Sequence, residues 1–299
     1  MTGTPLALNV YCWGDAEQDR LLTGCLGPAV RELWDEGKLT RFWTHRFDAR
    51  GPHVMALLGA PAAARDEVRQ RLSARLASYL DASPGGAHLS EDELRARHDA
   101  CRGGTLCSLD ALEGMAPNRS YAFADEPLAV FPFSHARTDE EGLLLGELAL
   151  WCIERLAAGT AARDAVRWAA ALDLALERAG AGPAGLWRFY ASTLFPALSA
   201  RIMEDDEEVA ASLARRVGGR NQELFEAAWS RADAPAWPGI GRLAAIAAAH
   251  DAEGRWRFTR SLAHAVLAQL GLPVMHRIPL VVHAWLRRLP SARLQEVSA

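Results

Sequence analysis

The amino-acid sequence predicts an α+β fold, with a small sheet in the first part of the chain and a mostly helical second part. Residues 1–137 give strand and helix patterns in the order β-α-β-β-α, which is typical of a two-layer structure with helices on one sheet face. Residues 138–299 give one helical pattern after another, and Gly or Pro separates most of them. We therefore expect a single domain over 1–299, with an α+β part and a helical part.

The first predicted elements are a strand and a long helix. Leu6 to Trp13 is a short apolar run that is rich in strand-forming residues. A helix is predicted from about residue 16 to 36, because its apolar residues recur at helical spacing. Asp15 is a suitable N-cap for this helix, and Gly37 is a suitable stop.

A hairpin is predicted next, with polar residues at its turn and an apolar second strand. Leu39–Asp48 and His53–Gly59 are the predicted strands, and a tight Gly-Pro turn joins them. After His53 the sequence is wholly apolar over Val54–Leu58. Pro61 then begins a second helix, which is predicted to end near residue 82.

Residues 83–137 carry weaker signals than the rest of the first part. Ser90 is a suitable cap for a short helix that ends near Cys101. Residues 102–127 show little periodicity. Leu128–Ala136 is predicted to be a further strand, and Pro132 indicates that it lies at an edge or ends there.

The second part is predicted to contain eight helices. They cover about residues 139–157, 161–179, 183–203, 206–217, 220–231, 240–249, 254–270 and 277–289.

Composition excludes several classes of function. A net charge of -4 does not favour nucleic-acid binding. The five Cys are odd in number and lack a CxxC pattern, which favours reduced thiols over disulfides or a zinc site. No signal peptide and no membrane-spanning apolar run is predicted, so we expect a cytoplasmic protein.

The common catalytic and nucleotide-binding motifs are not found in the sequence. It lacks GxGxxG, GxxxxGK[ST], HExxH and GxSxG patterns. His276 and His283 flank an apolar run and are interpreted as packing residues, and Glu204–Glu208 as the acidic first turn of a helix. The remaining candidates are isolated His, Tyr, Ser and Gln residues, which can orient a substrate and transfer protons.

Two separated segments resemble one protein family. The first is "WGDAEQDRLLTGCLGPAVRELWDEGKLTRFWTHRFDARGPHVMALL", and the second is "RSLAHAVLAQLGLP", Arg260 to Pro273. They resemble the start and the late helix of the C-terminal, glutamate-elimination domain of lanthipeptide dehydratases and its stand-alone relatives in thiopeptide pathways. The resemblance implies the α+β fold of that elimination domain, and the chain length fits a stand-alone member.

The chain departs from the elimination enzymes of this family at two places. Those enzymes follow the turn His with Leu-Arg-x-Arg, whereas this chain has Val54–Leu57. They carry Asn-Arg after the late His, whereas this chain has Ala268 and Gln269. A glutamate leaving group needs charge-assisted partners for its carboxylates, so the missing Arg residues count against elimination.

Among the relatives, the thiopeptide pyridine synthases fit these departures. The resemblance implies a formal aza-[4+2] cycloaddition between two dehydroalanines of an azole-containing precursor peptide. Loss of water and of the leader peptide then gives a pyridine within a macrocycle. The implied partner is the modified precursor peptide, with no cofactor, no metal, no nucleic acid and no membrane, and the protein is expected to be a monomer or a homodimer.

Candidate site residues follow from this resemblance and from side-chain chemistry. His264 and Gln269 lie on the late helix, and Arg46 and His53 match the hairpin motif. The alternatives are core packing for His264, a place only at the border of the cleft for Gln269, a hydrogen bond to the strand for His53 and a surface or structural ion pair for Arg46. The catalytic candidates are His264, Tyr121, Tyr190, Ser134 and His135. The substrate-binding candidates are Arg46, His53 and Gln269.

Two alternative functions stay open at the level of sequence. One is a glutamate-elimination enzyme that forms dehydroalanines from glutamylated Ser or Thr. The other is a non-catalytic scaffold that binds a leader peptide. For the leader we expect a groove beside the α+β layer, which takes either an added strand or an amphipathic helix.

Overall fold

The computed structural model describes most of the chain. The described residues are 5–47, 51–82, 90, 92–93, 116–124, 138–180, 184–204, 206–217, 222–231, 237–272 and 274–287. The chain divides into two compact units, Met1–Ala158 and Gly159–Ala299. The sequence-based prediction of a single domain over 1–299 stays a prediction.

The first unit contains a four-stranded antiparallel sheet. Its strands are β1 (Leu6–Tyr11), β2 (Arg41–Phe47), β3 (His53–Gly59) and β4 (Ser120–Ala124), in the spatial order β2-β3-β1-β4. The α+β class is therefore confirmed. Strand β4 lies in the stretch where the sequence showed little periodicity, and it is defined by its pairing with β1 rather than by a strong pattern of its own.

The helix predicted over 16–36 is present but is built in three parts. It consists of α1 (Asp15–Leu21), a π-helical turn (Leu22–Leu26) and α2 (Gly27–Asp35). The prediction that Asp15 caps it is wrong, because Asp15 is the first helical residue and the extended Gly14 occupies the cap position. Gly37 ends the helix as predicted, with a φ of +68° that favours glycine.

One face of the sheet packs against helices. A cross-strand row runs through Arg46, Val54, Val10 and Tyr121, which are neighbours in the strand register. At one end Arg46 forms an ion pair with Asp19 of α1. At the other end the Tyr121 hydroxyl donates to the carbonyl oxygen of Ser73 at 3.4 Å. Ser73 belongs to α3 (Arg65–Ala82), so α1 and α3 both cover this face, as the sequence predicted.

The opposite face is apolar and buried as well. Ala7, Met55 and Leu57 form a small cluster there, and Ala124 packs against it. Strand β3 lies between β2 and β1, and all seven of its residues are buried. A strand that is buried on both faces gains from an uninterrupted apolar sequence, which accounts for Val54–Leu58.

Helix α4 (Asp139–Ala157) completes the described part of the first unit. Its N-cap is Thr138, whose side-chain oxygen accepts from the backbone N–H of Glu141 at 3.1 Å. Arg41 of β2 pairs with Asp139 at 3.2 Å, and Trp34 of α2 packs against Gly146. The strong sequence signal at 139–157 thus gives a helix with the predicted bounds.

The second unit is helical throughout its described residues. Its helices are α5 (Ala161–Arg178), α6 (Ala184–Leu194), α7 (Ser199–Met203), α8 (Glu207–Val217), α9 (Gln222–Ser230), α10 (Ile240–Ala248), α11 (Ala252–Gln269) and α12 (Val274–Leu286). The continuous helix predicted over 183–203 is wrong, because the chain leaves the helix at Phe195 and makes a short 3-10 turn at Pro196–Leu198. Proline lacks the N–H that a helix interior needs, and it disfavours helical geometry in the residue before it.

A buried carboxylate organises the aromatic core of the second unit. Asp173 of α5 accepts from the indole N–H of Trp187 at 2.8 Å and from that of Trp229 at 3.0 Å. These two residues lie on α6 and α9, so one side chain connects three helices. None of the helices described in either unit is both long and apolar enough to span a membrane.

Candidate active site

Two of the predicted catalytic residues meet in the second unit. The hydroxyl oxygen of Tyr190 on α6 lies 3.2 Å from Nδ1 of His264 on α11, although 74 positions separate them in the sequence. Their rings are in an edge-on arrangement with centroids 6.0 Å apart. Tyr190 is only 1% exposed, whereas His264 is exposed. The pair therefore extends from the core to the surface of this unit.

Helical spacing explains how each side chain reaches its place. On α11, Leu262 and Val266 are fully buried, and His264 lies between them on the exposed side of the helix. On α6, Trp187, Tyr190 and Ala191 recur at intervals of three and four and are all buried. Tyr190 thus belongs to the core face of its helix, and its hydroxyl group reaches His264 at the boundary of the core.

A third residue of this group, Arg277 on α12, was not predicted from the sequence. It is 7% exposed, and its Nε donates to the carbonyl oxygen of Leu272 at 2.6 Å. Its Nη1 lies 3.5 Å from Nδ1 of His264, which is long for a hydrogen bond but places the positive charge beside the imidazole. The available signal was a single Arg within the apolar stretch "VMHRIPLVVHAWL".

The surroundings of Tyr190 favour its protonated form. Burial raises the pKa of its hydroxyl group; the charge of Arg277, a hydrogen bond from Arg277 and the charge of Arg260 act in the opposite direction. Because the net shift is upward from a group that ordinarily titrates near pH ~10, Tyr190 is a neutral phenol at neutral pH. It can therefore donate a proton or a hydrogen bond to His264.

Gln269 lies near this group in the sequence but on another side of the helix. It is 3% exposed at the C-terminal end of α11. Five positions correspond to about one and a half helical turns, so the Gln269 and His264 side chains leave the helix in different directions. A role for Gln269 in binding substrate stays a prediction.

The three described candidates of the first unit have structural partners. Arg46 pairs with Asp19, and Tyr121 donates to the backbone of α3. His53 is buried, its Nδ1 lies 2.9 Å from the carbonyl oxygen of Gly51, and its ring lies 4.9 Å from that of Tyr11. These contacts hold the hairpin turn and the sheet in place. The catalytic role of Tyr121 and the substrate-binding roles of Arg46 and His53 stay predictions.

Two further candidates, Ser134 and His135, lie outside the described residues, as does the strand predicted at 128–136. Within the described ranges, no group of three His, Cys, Asp or Glu residues is arranged to hold a metal ion.

His283 is a packing residue, in agreement with its interpretation from the sequence. Its ring centroid lies 5.1 Å from that of Phe225 and 5.2 Å from that of Trp229. Burial, with a smaller contribution from the charge of Arg287, lowers the pKa of His283 from 6.5 to about 4. The imidazole is therefore neutral at neutral pH and acts as part of the aromatic core.

Comparisons with known proteins agree with this fold. Residues 6–98 match the family described as lantibiotic biosynthesis dehydratase C-term. Among solved structures, "Pyridine synthase, TbtD, from thiomuracin biosynthesis" superposes with a TM-score of 0.62 at 18% sequence identity, over 95% of this chain and 97% of that chain. No curated protein matches the chain. The resemblance drawn from the first segment, which contains the hairpin, is thus confirmed: residues 6–98 match the lantibiotic dehydratase C-terminal family, and the chain has the fold of a pyridine synthase. The late helix lies outside the matched residues.

Proposed function

We propose that this protein is an enzyme that closes the pyridine ring of a thiopeptide from two dehydroalanines of a modified precursor peptide. The observation that carries the proposal is the contact of Tyr190 with His264, which joins a neutral phenol to an exposed imidazole. A fold shared with a pyridine synthase over 95% of the chain supports it.

The proposed reaction needs proton transfers and no oxidant. One amide takes its imidic acid form and acts as an azadiene, and the second dehydroalanine adds across it. The six-membered ring then holds one double bond, a hydroxyl group and the nitrogen that leads to the leader. Loss of water and loss of the leader as a carboxamide supply the two remaining double bonds. Every step therefore moves protons between neutral groups.

His264 and Tyr190 supply these protons in the proposed mechanism. The imidazole donates a proton to the ring hydroxyl group, which departs as water, while Nδ1 takes the proton of Tyr190. The proton that the ring loses as its new double bond forms then returns to this pair, and the same pair assists the tautomerisation of the amide. General acid-base groups of this kind typically contribute about 10²–10⁴-fold to the rate. Holding the two dehydroalanines together contributes roughly 7–11 kcal/mol more, and this part depends on peptide-binding surfaces rather than on the two proton-transfer residues.

The buried strand β3 favours ring closure over elimination of glutamate. The two Arg positions of the elimination motif correspond to Met55 and Leu57, which are 1% and 0% exposed within an apolar cluster. This strand offers no cation to a departing glutamate. Elimination remains the second candidate, because the positive charge of Arg277 lies beside His264 and would attract a carboxylate that binds near the imidazole.

The test is mass spectrometry of two peptides incubated with the protein. An azole-bearing peptide with two dehydroalanines should lose water and its whole leader, while a glutamylated peptide should not lose glutamate. His264→Ala and Tyr190→Phe should each reduce pyridine formation by about 10²-fold or more. Tyr79→Phe on α3 is the matched control, because Tyr79 is not among the candidate site residues. Tyr121→Phe tests a further candidate, whose hydroxyl bonds to the backbone of α3. Full turnover by folded His264→Ala and Tyr190→Phe proteins would remove the proposed site.

Leader recognition is a separate element of the proposal. The leader is expelled at the end of the reaction, so the protein must bind it first. We propose that it binds beside the α+β layer of the first unit, as an added strand or as an amphipathic helix. Titration of a labelled leader peptide measures this directly, and absence of binding would eliminate this element without affecting the acid-base pair.

A further inference from the structure

We infer that Arg277 is a positioning residue that fixes the direction of the hydrogen bonds between Tyr190 and His264. In this arrangement the imidazole of His264 is held as the neutral tautomer with its proton on Nε2. The inference deepens the proposed function, because it assigns the acid of the proposed reaction to one atom. The hydrogen-bond arrangement itself does not depend on which substrate the protein accepts.

The first step is the orientation of the guanidinium group. Nε of Arg277 donates to the carbonyl oxygen of Leu272 at 2.6 Å, and the side chain is 7% exposed. A guanidinium is planar and its donors have fixed directions. The bond to Leu272 therefore determines where the remaining N–H groups point, and Nη1 lies 3.5 Å from Nδ1 of His264.

The second step follows from Arg277 having donors only. Its Nη1 lies 3.5 Å from Nδ1 of His264, so Nδ1 faces a group that can only donate and is left to accept. The Tyr190 hydroxyl oxygen lies 3.2 Å from the same Nδ1 and donates its hydrogen to it. Nδ1 must then present its lone pair, since it faces the Tyr190 hydroxyl hydrogen and an N–H of Arg277. In a neutral imidazole the proton consequently resides on Nε2.

The third step is the consequence for chemistry. The two ring nitrogens of an imidazole point in different directions. Because Nδ1 faces Tyr190, Nε2–H points away from Tyr190, and the His264 side chain is exposed. Arg277 and Tyr190 both direct donors at Nδ1, which polarises the imidazole and strengthens Nε2–H as a donor. His264 thus acts through Nε2–H as a neutral hydrogen-bond donor, and it gives up this proton only as Nδ1 takes the proton of Tyr190. Arg277 acts only through its two neighbours.

Nitrogen-15 NMR of the histidine side chains tests the inference without any substrate. His264→Gln identifies the signals of His264. In the unmodified protein we expect Nε2 to give a protonated-nitrogen signal and Nδ1 an unprotonated, hydrogen-bonded one. A spectrum with the proton on Nδ1, or with equal tautomers, would overturn the inference whatever the activity of the protein.

Two variants at Arg277 and one control extend the test. Arg277→Met should produce a mixture of His264 tautomers. Arg277→Lys keeps the charge but cannot reach Leu272, Tyr190 and His264 together, so it should restore the wild-type signals only in part. Arg255→Met is the control. Arg255 lies near the start of α11, about 13 Å along the helix from His264, and donates to the backbone carbonyl oxygens of Ala248 and His250. It should leave the tautomer unchanged, and an equal change in this variant would refute a specific role for Arg277.

Turnover separates the inference from the proposed function. If the protein forms pyridine, Arg277→Met should lower kcat by roughly 10²-fold with little change in KM, because Arg277 is buried and does not touch the substrate. A large rise in KM with unchanged kcat would instead place Arg277 in substrate binding and overturn the inference. If the protein forms no pyridine but the Nε2–H tautomer is observed and depends on Arg277, the inference stands and the proposed function fails.

Discussion

Replacement of Leu57 by Arg tests why β3 lacks the charged residues of the elimination enzymes. Leu57 is 0% exposed and packs with Ala7 and Met55 on one face of the sheet. If this strand is apolar because it forms part of a core, a charge there should unfold the protein. If it is apolar for another reason, the protein should accept the Arg and gain affinity for a glutamylated peptide.

The expected loss of stability can be worked out from burial. Removing a fully buried Leu side chain costs about 2 kcal/mol of hydrophobic stabilisation. Placing an uncompensated charge in its position costs several kcal/mol more after relaxation and water penetration. A total of about 5 kcal/mol or more is comparable with the whole free energy of unfolding of a typical domain, about 5–15 kcal/mol. We therefore expect Leu57→Arg to be largely unfolded or to aggregate.

Urea denaturation followed by circular dichroism measures this loss. Leu57→Met is the matched control and should cost less than about 1.5 kcal/mol, because it nearly preserves volume and polarity. A folded Leu57→Arg protein with near wild-type stability would refute the argument from burial. If that variant also released glutamate from a glutamylated peptide, the elimination interpretation would regain its support.

Two further predictions concern the second unit. Asp173→Ala should lower the free energy of unfolding by about 3–6 kcal/mol, because the indole N–H groups of two Trp residues lose the carboxylate that accepts from them. Urea denaturation followed by tryptophan fluorescence measures this loss, and a loss below about 1 kcal/mol would contradict the prediction. The pKa of His283 is lowered in the folded state, so above pH 6.5 the imidazole is neutral in both the folded and the unfolded protein and does not affect stability. Between pH 6.5 and about 4 only the unfolded protein gains a proton at this residue, so the stability of the folded state falls as the pH is lowered. His283→Phe should remove this part of the acid sensitivity, as measured by unfolding at a series of pH values, and an unchanged pH dependence would contradict the assignment.

The hairpin was predictable because its turn residues and its apolar second strand agree with the burial of that strand in the fold. The β3 prediction, His53–Gly59, coincides with the observed strand, since the turn residues and the apolar run mark both of its ends. Strand β4 was missed, because its five residues are at most half-buried and are held mainly by pairing with β1. The π-helical turn at Leu22–Leu26 was also missed, because one extra residue in a turn barely alters the apolar spacing of a helix.

The sequence predicted two residues of the candidate site, His264 and Tyr190, but not the contact between them. His264 followed from the late-helix motif, and Tyr190 followed from side-chain chemistry alone. No sequence signal indicated that they meet, since 74 positions separate them and only the packing of α6 on α11 brings them together. Arg277 was missed because an Arg in an Arg-rich chain carries little weight, and its importance depends on burial, which a single sequence does not reveal.

The cross-strand row through Arg46, Val54 and Tyr121 has a consequence for the fidelity of folding. Shifting β2 by one residue along β3 would move Arg46 to the opposite, apolar face and would take it away from Asp19. Such a shift would break an ion pair and bury the charge of Arg46 at the same time, so both effects would destabilise a hairpin with the wrong register. Arg46, which belongs to the hairpin motif that resembles the family, thus also favours the correct register between β2 and β3.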